Sequence, residues 1–142
     1  MDKTQLEALV RQILLEKLGG TCAHGVLKSS VPALRTTEAD RMDTGNPGDK
    51  VYTHDLFTLE QSPRLGAGLM EMENTTFPWT LNYDEMDYVI EGELSILIGG
   101  EKVTAGPGEV IYIPKGSSIQ FSVSGRARFL YFVYPANWQE QK

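Results

Sequence analysis

The chain has 142 residues with 13 Lys and Arg against 19 Asp and Glu, a formal net charge of −6. That acidic balance argues against nucleic acid or an anionic membrane surface as a partner, and 41% hydrophobic with 23% charged residues is the composition of a folded domain, not of a disordered chain. No 18-residue apolar stretch exists to span a membrane, the single Cys22 cannot form an internal disulfide and so suits a reducing cytoplasm, and two histidines, His24 and His54, exclude any site that needs three imidazoles from one chain.

Residues 1–20 read as an amphipathic helix with its body at 2–18. Thr4-x-x-Glu7 is a capping-box pattern. Leu6, Leu9, Val10, Ile13, Leu14 and Leu18 recur at spacings of three and four and form an apolar stripe. Glu7, Arg11, Glu16 and Lys17 interrupt that run, so it is no secretory signal. Gly19-Gly20 supplies the stop. Residues 21–50, rich in Gly, Pro and polar side chains, read as a linker and an extended arm, with 30–60 suited to reaching a second copy in a homodimer.

Residues 51–138 read as short strands separated by Gly and Pro, the pattern of an all-β barrel. Val51–Leu59 is the first. The segment LSILI followed by Gly99-Gly100 and EKV predicts a two-residue hairpin, because glycine accepts the positive φ of primed turns. VIYIP at 110–114 is a strand stopped by proline. SIQFSV at 118–123 alternates, with Ile119, Phe121 and Val123 on one face; Ser124-Gly125 reads as a turn before a last strand, RFLYFVY.

Two segments stand in a fixed relation. Glu85 is followed by six residues and Gly92, and Gly108 by five residues and Pro114-x-Gly116. This skeleton resembles the two motifs of the cupins, which implies a jelly-roll β-barrel. The cupin metal site would use two His before the Glu, the Glu, and a fourth ligand in the second motif. Here the first pair falls on Pro78 and Thr80, or on Trp79 and Leu81, and the last on Ile119, so Glu85 alone remains. Those side chains offer no adequate donor to a transition metal, and no transition-metal cofactor is expected. FPWTLNYDE, YVIEGE, IPKGSS, FLYF and PANWQ together resemble the EutQ-type ethanolamine utilization family. That resemblance implies phosphoryl transfer between ATP and acetate, a cytoplasmic setting in a bacterial microcompartment, and a part in its assembly.

Phosphoryl transfer needs neutralised phosphates and a positioned acceptor. In a strand, Glu85 and Asp87 share a face about 7 Å apart, and together they could hold Mg²⁺ or act as acid and base; Tyr83 falls on the same side. These three are the candidate catalytic residues. Trp79 could stack on adenine, Phe121 lines the barrel beside Ile119, and Lys115, Arg126 and Arg128 are candidate phosphate contacts. No phosphate-binding GxxxxGK[ST] loop is present. Two other readings stand beside the kinase. One is a scaffold whose helix docks a shell or cargo protein. The other is a metal-free barrel that binds a small molecule without turnover.

Overall fold

The structure, a computed structural model, describes residues 2–18 and 24–141, with the side chains of 12–18 left aside. The chain divides into two compact units after Arg35. In the first, helix α1 spans Lys3–Leu18. Its cap is not Thr4 but Asp2: Gln5 N donates to Asp2 Oδ1 at 2.8 Å and Asp2 N to Gln5 Oε1 at 3.0 Å. Asp caps a helix at least as well as Thr, so the helix begins a residue before Thr4. Leu6, Leu9 and Val10 are exposed. The side chains of Ile13, Leu14 and Leu18, together with Gly19-Gly20 and Cys22, lie outside the described residues.

The second unit starts at Thr36 and holds seven strands among the described residues: β1 (Lys50–Asp55), β2 (Gly66–Thr80), β3 (Asp84–Glu91), β4 (Leu94–Ile98), β5 (Glu101–Ala105), β6 (Val110–Ile113) and β7 (Ser118–Tyr134). They form one antiparallel sheet in the order β1-β2-β7-β3-β6, with β4 also on β7 and β5 on β4. The sheet curls over a core without closing. Along β2, β3 and β7 alternate side chains point inward, among them Met70, Met72, Phe77, Val89, Phe121, Phe129 and Val133. The hairpin at Gly99-Gly100 is as expected: Ile98 pairs with Glu101 and both glycines have positive φ, 56° and 82°.

Two features differ from the sequence reading. Ser124-Gly125 is not a turn, because β7 runs unbroken through it. There Asn74 of β2, at φ 43°, lies opposite two residues of β7, between the Glu73–Arg126 and Thr75–Val123 pairs. Gly125 N donates to Asn74 Oδ1 at 2.8 Å. A bulge uses the same residue types as a turn but keeps both strands paired, so local sequence does not separate the two. Secondly, the expected arm folds back on its own chain. β1 pairs with β2 from Lys50–Glu73 to Asp55–Gly68. Ahead of it, Met42 N donates to Val51 O at 2.8 Å and His54 Nδ1 sits 3.0 Å from Asp40 Oδ1.

Candidate functional site

The inward face of β3 carries the candidate carboxylates. Alternation along Asp84–Glu91 sends Glu85 and Asp87 into the core, at 5% and 0% exposure, while Met86 and Tyr88 face out. Tyr83, just before the strand, is buried on the same side. Sequence reasoning therefore placed these three together, and the structure has them so. Glu85 lines a small cavity with Met42, Thr53, Met70, Trp79, Tyr83, Phe121, Tyr131, Val133 and Trp138. Its volume is about 20 Å³, room for one water. Asp87 does not line it; both Asp87 carboxyl oxygens are buried without a hydrogen-bond partner.

An unpaired buried carboxylate is costly, and such groups keep their proton instead. Burial pushes Glu85 from 4.5 up to about 7. Burial, then the charge of neighbouring Glu85, holds Asp87 well above the usual carboxylate range. The pair thus carries at least one proton at neutral pH. Burial and the Glu85 charge also raise Tyr83 above its ordinary value, so its hydroxyl stays protonated. That hydroxyl accepts from Trp79 Nε1 at 2.8 Å. Its own proton is left for another acceptor.

An aromatic layer covers the small cavity. Trp138 stands 6.0 Å from Trp79 and 5.3 Å from Tyr83, and Phe77 stacks on Phe121 at 5.3 Å. On the far side of the layer lies an open pocket of about 430 Å³. Arg41, Asp43, Thr80, Asn82, Gln139 and Gln141 line it, with Met42, Thr53, Trp79, Tyr83 and Trp138 shared between the two cavities. That volume falls within the roughly 300–1,000 Å³ of ligand sites. Arg41 is the cation in its wall; it is braced by Glu38 Oε2 at 3.2 Å, by Asp49 O at 2.7 Å and by the Tyr52 ring at 5.1 Å.

The other candidates are not brought in. Lys115 is exposed on the turn after β6, where its backbone N donates to Asp84 Oδ1 at 2.9 Å, and it lines neither cavity. Arg126 is exposed, and Arg128 is buried at an outward register position between Glu71 and Glu91. Arg41, Trp138 and Tyr131 were missed. Arg41 lies 90 and 97 residues before Tyr131 and Trp138, and no local spacing marks the three. Of the two possible positions for the absent histidine pair, the inward ones are Trp79 and Leu81. With Ile119, they fill the space that ligands would occupy.

A family model for "Ethanolamine utilisation protein EutQ" matches residues 1–140. The protein named "Acetate kinase EutQ" of Clostridioides difficile (strain 630) is 56% identical over 151 aligned residues, covering 99% of this chain and 96% of that one. The Salmonella typhimurium protein of the same name is 52% identical over 85 residues; the match spans 60% of this chain but 37% of that longer one. Among solved structures, the Clostridium difficile EutQ protein superposes with TM-score 0.85 at 59% identity, covering 87% of this chain and 90% of that one. A Cupin_2 domain from Enterobacter cloacae, 18% identical with TM-score 0.52 over 59% of this chain and 95% of that one, shares the fold alone. The fold is thus the cupin jelly roll, and the chain belongs to the family of ethanolamine utilisation protein EutQ.

Proposed function

We propose that the chain transfers a phosphoryl group between ATP and acetate, as part of ethanolamine utilisation in a bacterial microcompartment. The observation that carries this is the 56% identity, over nearly the full length of both chains, to a protein named as an acetate kinase. In the reaction an acetate oxygen bonds to the γ-phosphorus while the bond from that phosphorus to the β,γ-bridging oxygen breaks. ADP leaves with the electron pair. Acetate is already an anion and needs no base. The protein's task is charge neutralisation and alignment.

The 430 Å³ pocket takes MgATP, its base against Trp79 and Trp138 and its phosphates toward Arg41. Mg²⁺ enters as part of that substrate. Glu85 and Asp87 have the oxygen chemistry for Mg²⁺, but about 20 Å³ leaves no room for the waters that ion keeps, and the retained proton opposes cation binding. No cluster of three His, Cys, Asp or Glu that could hold a metal exists among the described residues. Glu85 serves instead as a protonated, neutral hydrogen-bond donor to the acetate carboxylate. An acetate carboxylate and a Glu85 carboxylate repel unless a proton lies between them, and a group near pH 7 supplies it. Access to it requires Trp138 to swing aside.

The test is acetyl phosphate formation from ATP and acetate, with and without Mg²⁺, by the full chain. Glu85→Ala, purified identically, controls for host kinase, and Glu85→Gln tests whether a neutral donor suffices. Glu85→Gln keeps a donor and should retain activity within a few-fold; Glu85→Ala should lose about 10²-fold or more. No activity in the parent, or equal activity in Glu85→Ala, refutes the assignment.

Exposed Leu6, Leu9 and Val10 on a helix in a separate compact unit favour a second role, docking to a shell or cargo protein. A Leu6→Ser/Leu9→Ser/Val10→Ser variant should lose encapsulation while melting at the parent temperature. Retained encapsulation removes that role.

A further inference from the structure

One row of residues crosses four neighbouring strands. Asp55 of β1 stands opposite Gly68 of β2, Gly68 opposite Tyr131 of β7, and Tyr131 opposite Asp87 of β3. Residues directly opposite one another share a face of the sheet. Gly68 brings no side chain to the row, and the Tyr131 ring takes the space: a Cβ on Gly68 would collide with Tyr131 Cζ and Oη. The ring therefore leans across β2, away from Asp87, and its hydroxyl donates to Asp55 Oδ1 at 2.9 Å. That bond orients an aspartate at the edge of the sheet and leaves Oδ2 to take another donor. Asp55 and Tyr131 form one wall of a third cavity, about 120 Å³ in volume. Phe57 and Trp138 add two more rings, and Glu140 a second carboxylate, whose Oε2 accepts from Asn137 Nδ2 at 3.1 Å. Among the described residues that line this cavity there is no Lys, Arg or His.

We propose that this cavity binds a small primary ammonium ion, its N–H groups on the Asp55 and Glu140 carboxylates and its alkyl part among Phe57, Tyr131 and Trp138. The ligand class follows from charge, wall chemistry and size. Two carboxylates with no cation beside them repel an anion. A bare hard cation takes six or more oxygen ligands, but three of these walls are carbon rings, and no group of three His, Cys, Asp or Glu that could hold a metal exists among the described residues. Aromatic faces attract an organic cation, and a carboxylate accepts its N–H in a charge-assisted hydrogen bond. A volume of about 120 Å³ is far below the roughly 300–1,000 Å³ of a drug-sized or nucleotide site. Measured against the space one water takes, it holds a ligand of about four to eight non-hydrogen atoms. Trp138 and Gln139 also line the 430 Å³ pocket, so the two cavities share a wall. Binding here requires neither ATP nor turnover, and it stands or falls apart from phosphoryl transfer.

The experiment is calorimetric titration of the full chain with butylammonium chloride at constant ionic strength, with tryptophan emission followed alongside because Trp138 is in the wall. Butylammonium has five non-hydrogen atoms, which sets the expected Kd at about 0.1–10 mM. Two probes of the same size isolate the chemistry. 1-Butanol has no charge, and tetramethylammonium has the charge but no N–H; both should bind several-fold more weakly. Asp55→Asn keeps an acceptor for the Tyr131 hydroxyl and removes the charge, and it should weaken butylammonium roughly 10-fold or more. Glu140→Gln, at an exposed position, should do the same with unchanged circular dichroism and serves should Asp55→Asn fail to fold. Asp43→Asn, in the neighbouring pocket, should bind butylammonium as the parent does. No saturable binding by about 50 mM, well past the expected range, overturns the proposal. So does equal or tighter binding of 1-butanol or tetramethylammonium, parent-like binding by folded Asp55→Asn or Glu140→Gln, or binding lost through Asp43→Asn.

Discussion

Gly92→Ala should destabilise the second unit far more than Gly116→Ala or Gly108→Ala, although all three glycines belong to the same two motifs and all have positive φ, at 78°, 92° and 86°. An added methyl costs about 1–2 kcal/mol at any of them, because a Cβ crowds the following carbonyl in the left-handed region. Part is recovered, about 0.4–1 kcal/mol, as the unfolded chain loses freedom. Space is what separates them. At Gly108 and Gly116 a Cβ would meet nothing within 4 Å. At Gly92 it would lie 2.0 Å from Arg126 O and 2.9 Å from Ala127 Cα, both backbone atoms of β7. Neither can rotate away, so β3 or β7 must shift, at the roughly 1–3 kcal/mol typical of overpacking. The difference between Gly92→Ala and Gly116→Ala is thus on the order of 2 kcal/mol, a large share of a domain's about 5–15 kcal/mol. Urea unfolding followed by the fluorescence of Trp79 and Trp138 measures it, with melting curves alongside. Equal costs at the two sites would refute the claim that Gly92 is required by the close approach of β7.

The remaining predictions concern the buried acids and their cover. Glu85, at about 7 in the fold and near 4.5 when unfolded, binds more protons folded than unfolded. Its stabilising contribution is complete below about pH 4.5 and is lost as pH rises through about 7; the whole difference is worth roughly 3 kcal/mol. Melting curves from pH 5 to 8 should show that decline, reduced in Glu85→Gln, and a pH-independent midpoint would contradict it. Asp87→Val removes a buried group with no partner for either oxygen and should raise stability by about 1–2 kcal/mol at neutral pH; a destabilised variant would mean that Asp87 is bonded after all. Trp138→Ala should open the small cavity to water and bring the Glu85 titration back toward 4.5, which carboxyl infrared bands report directly. Unchanged bands would show that Trp138 is not the cover.

Local chemistry made much of this protein legible. Gly99-Gly100 between two apolar runs specifies its own hairpin through positive φ, whatever surrounds it. The period of two along Tyr83, Glu85 and Asp87 puts three polar side chains on one face before any partner strand is known. The cupin resemblance put the absent donors on Pro78 and Thr80 or on Trp79 and Leu81, and on Ile119; burial in the folded chain then singled out Trp79 and Leu81 as the inward pair. Where two structures use the same residue types, local reading failed: Ser124-Gly125 suits a turn or a bulge, and only pairing with Asn74 across the sheet decides between them. The Asp2 cap was missed because Asp2-x-x-Gln5 and Thr4-x-x-Glu7 compete for the same helix start.

The amino-acid sequence by itself determined the strand alternation, the primed hairpin and the glycine corners, because each depends on φ preference or side-chain period within a few residues. Only the tertiary structure decided that Lys50–Asp55 pairs with its own sheet, that Lys115 stands off while Arg41 and Trp138 enclose the site, and that Asp87 is buried with no partner. Those facts depend on which distant segments meet. Burial, and with it the retained proton on Glu85 and Asp87, is a property of all the surrounding strands at once and of no residue singly.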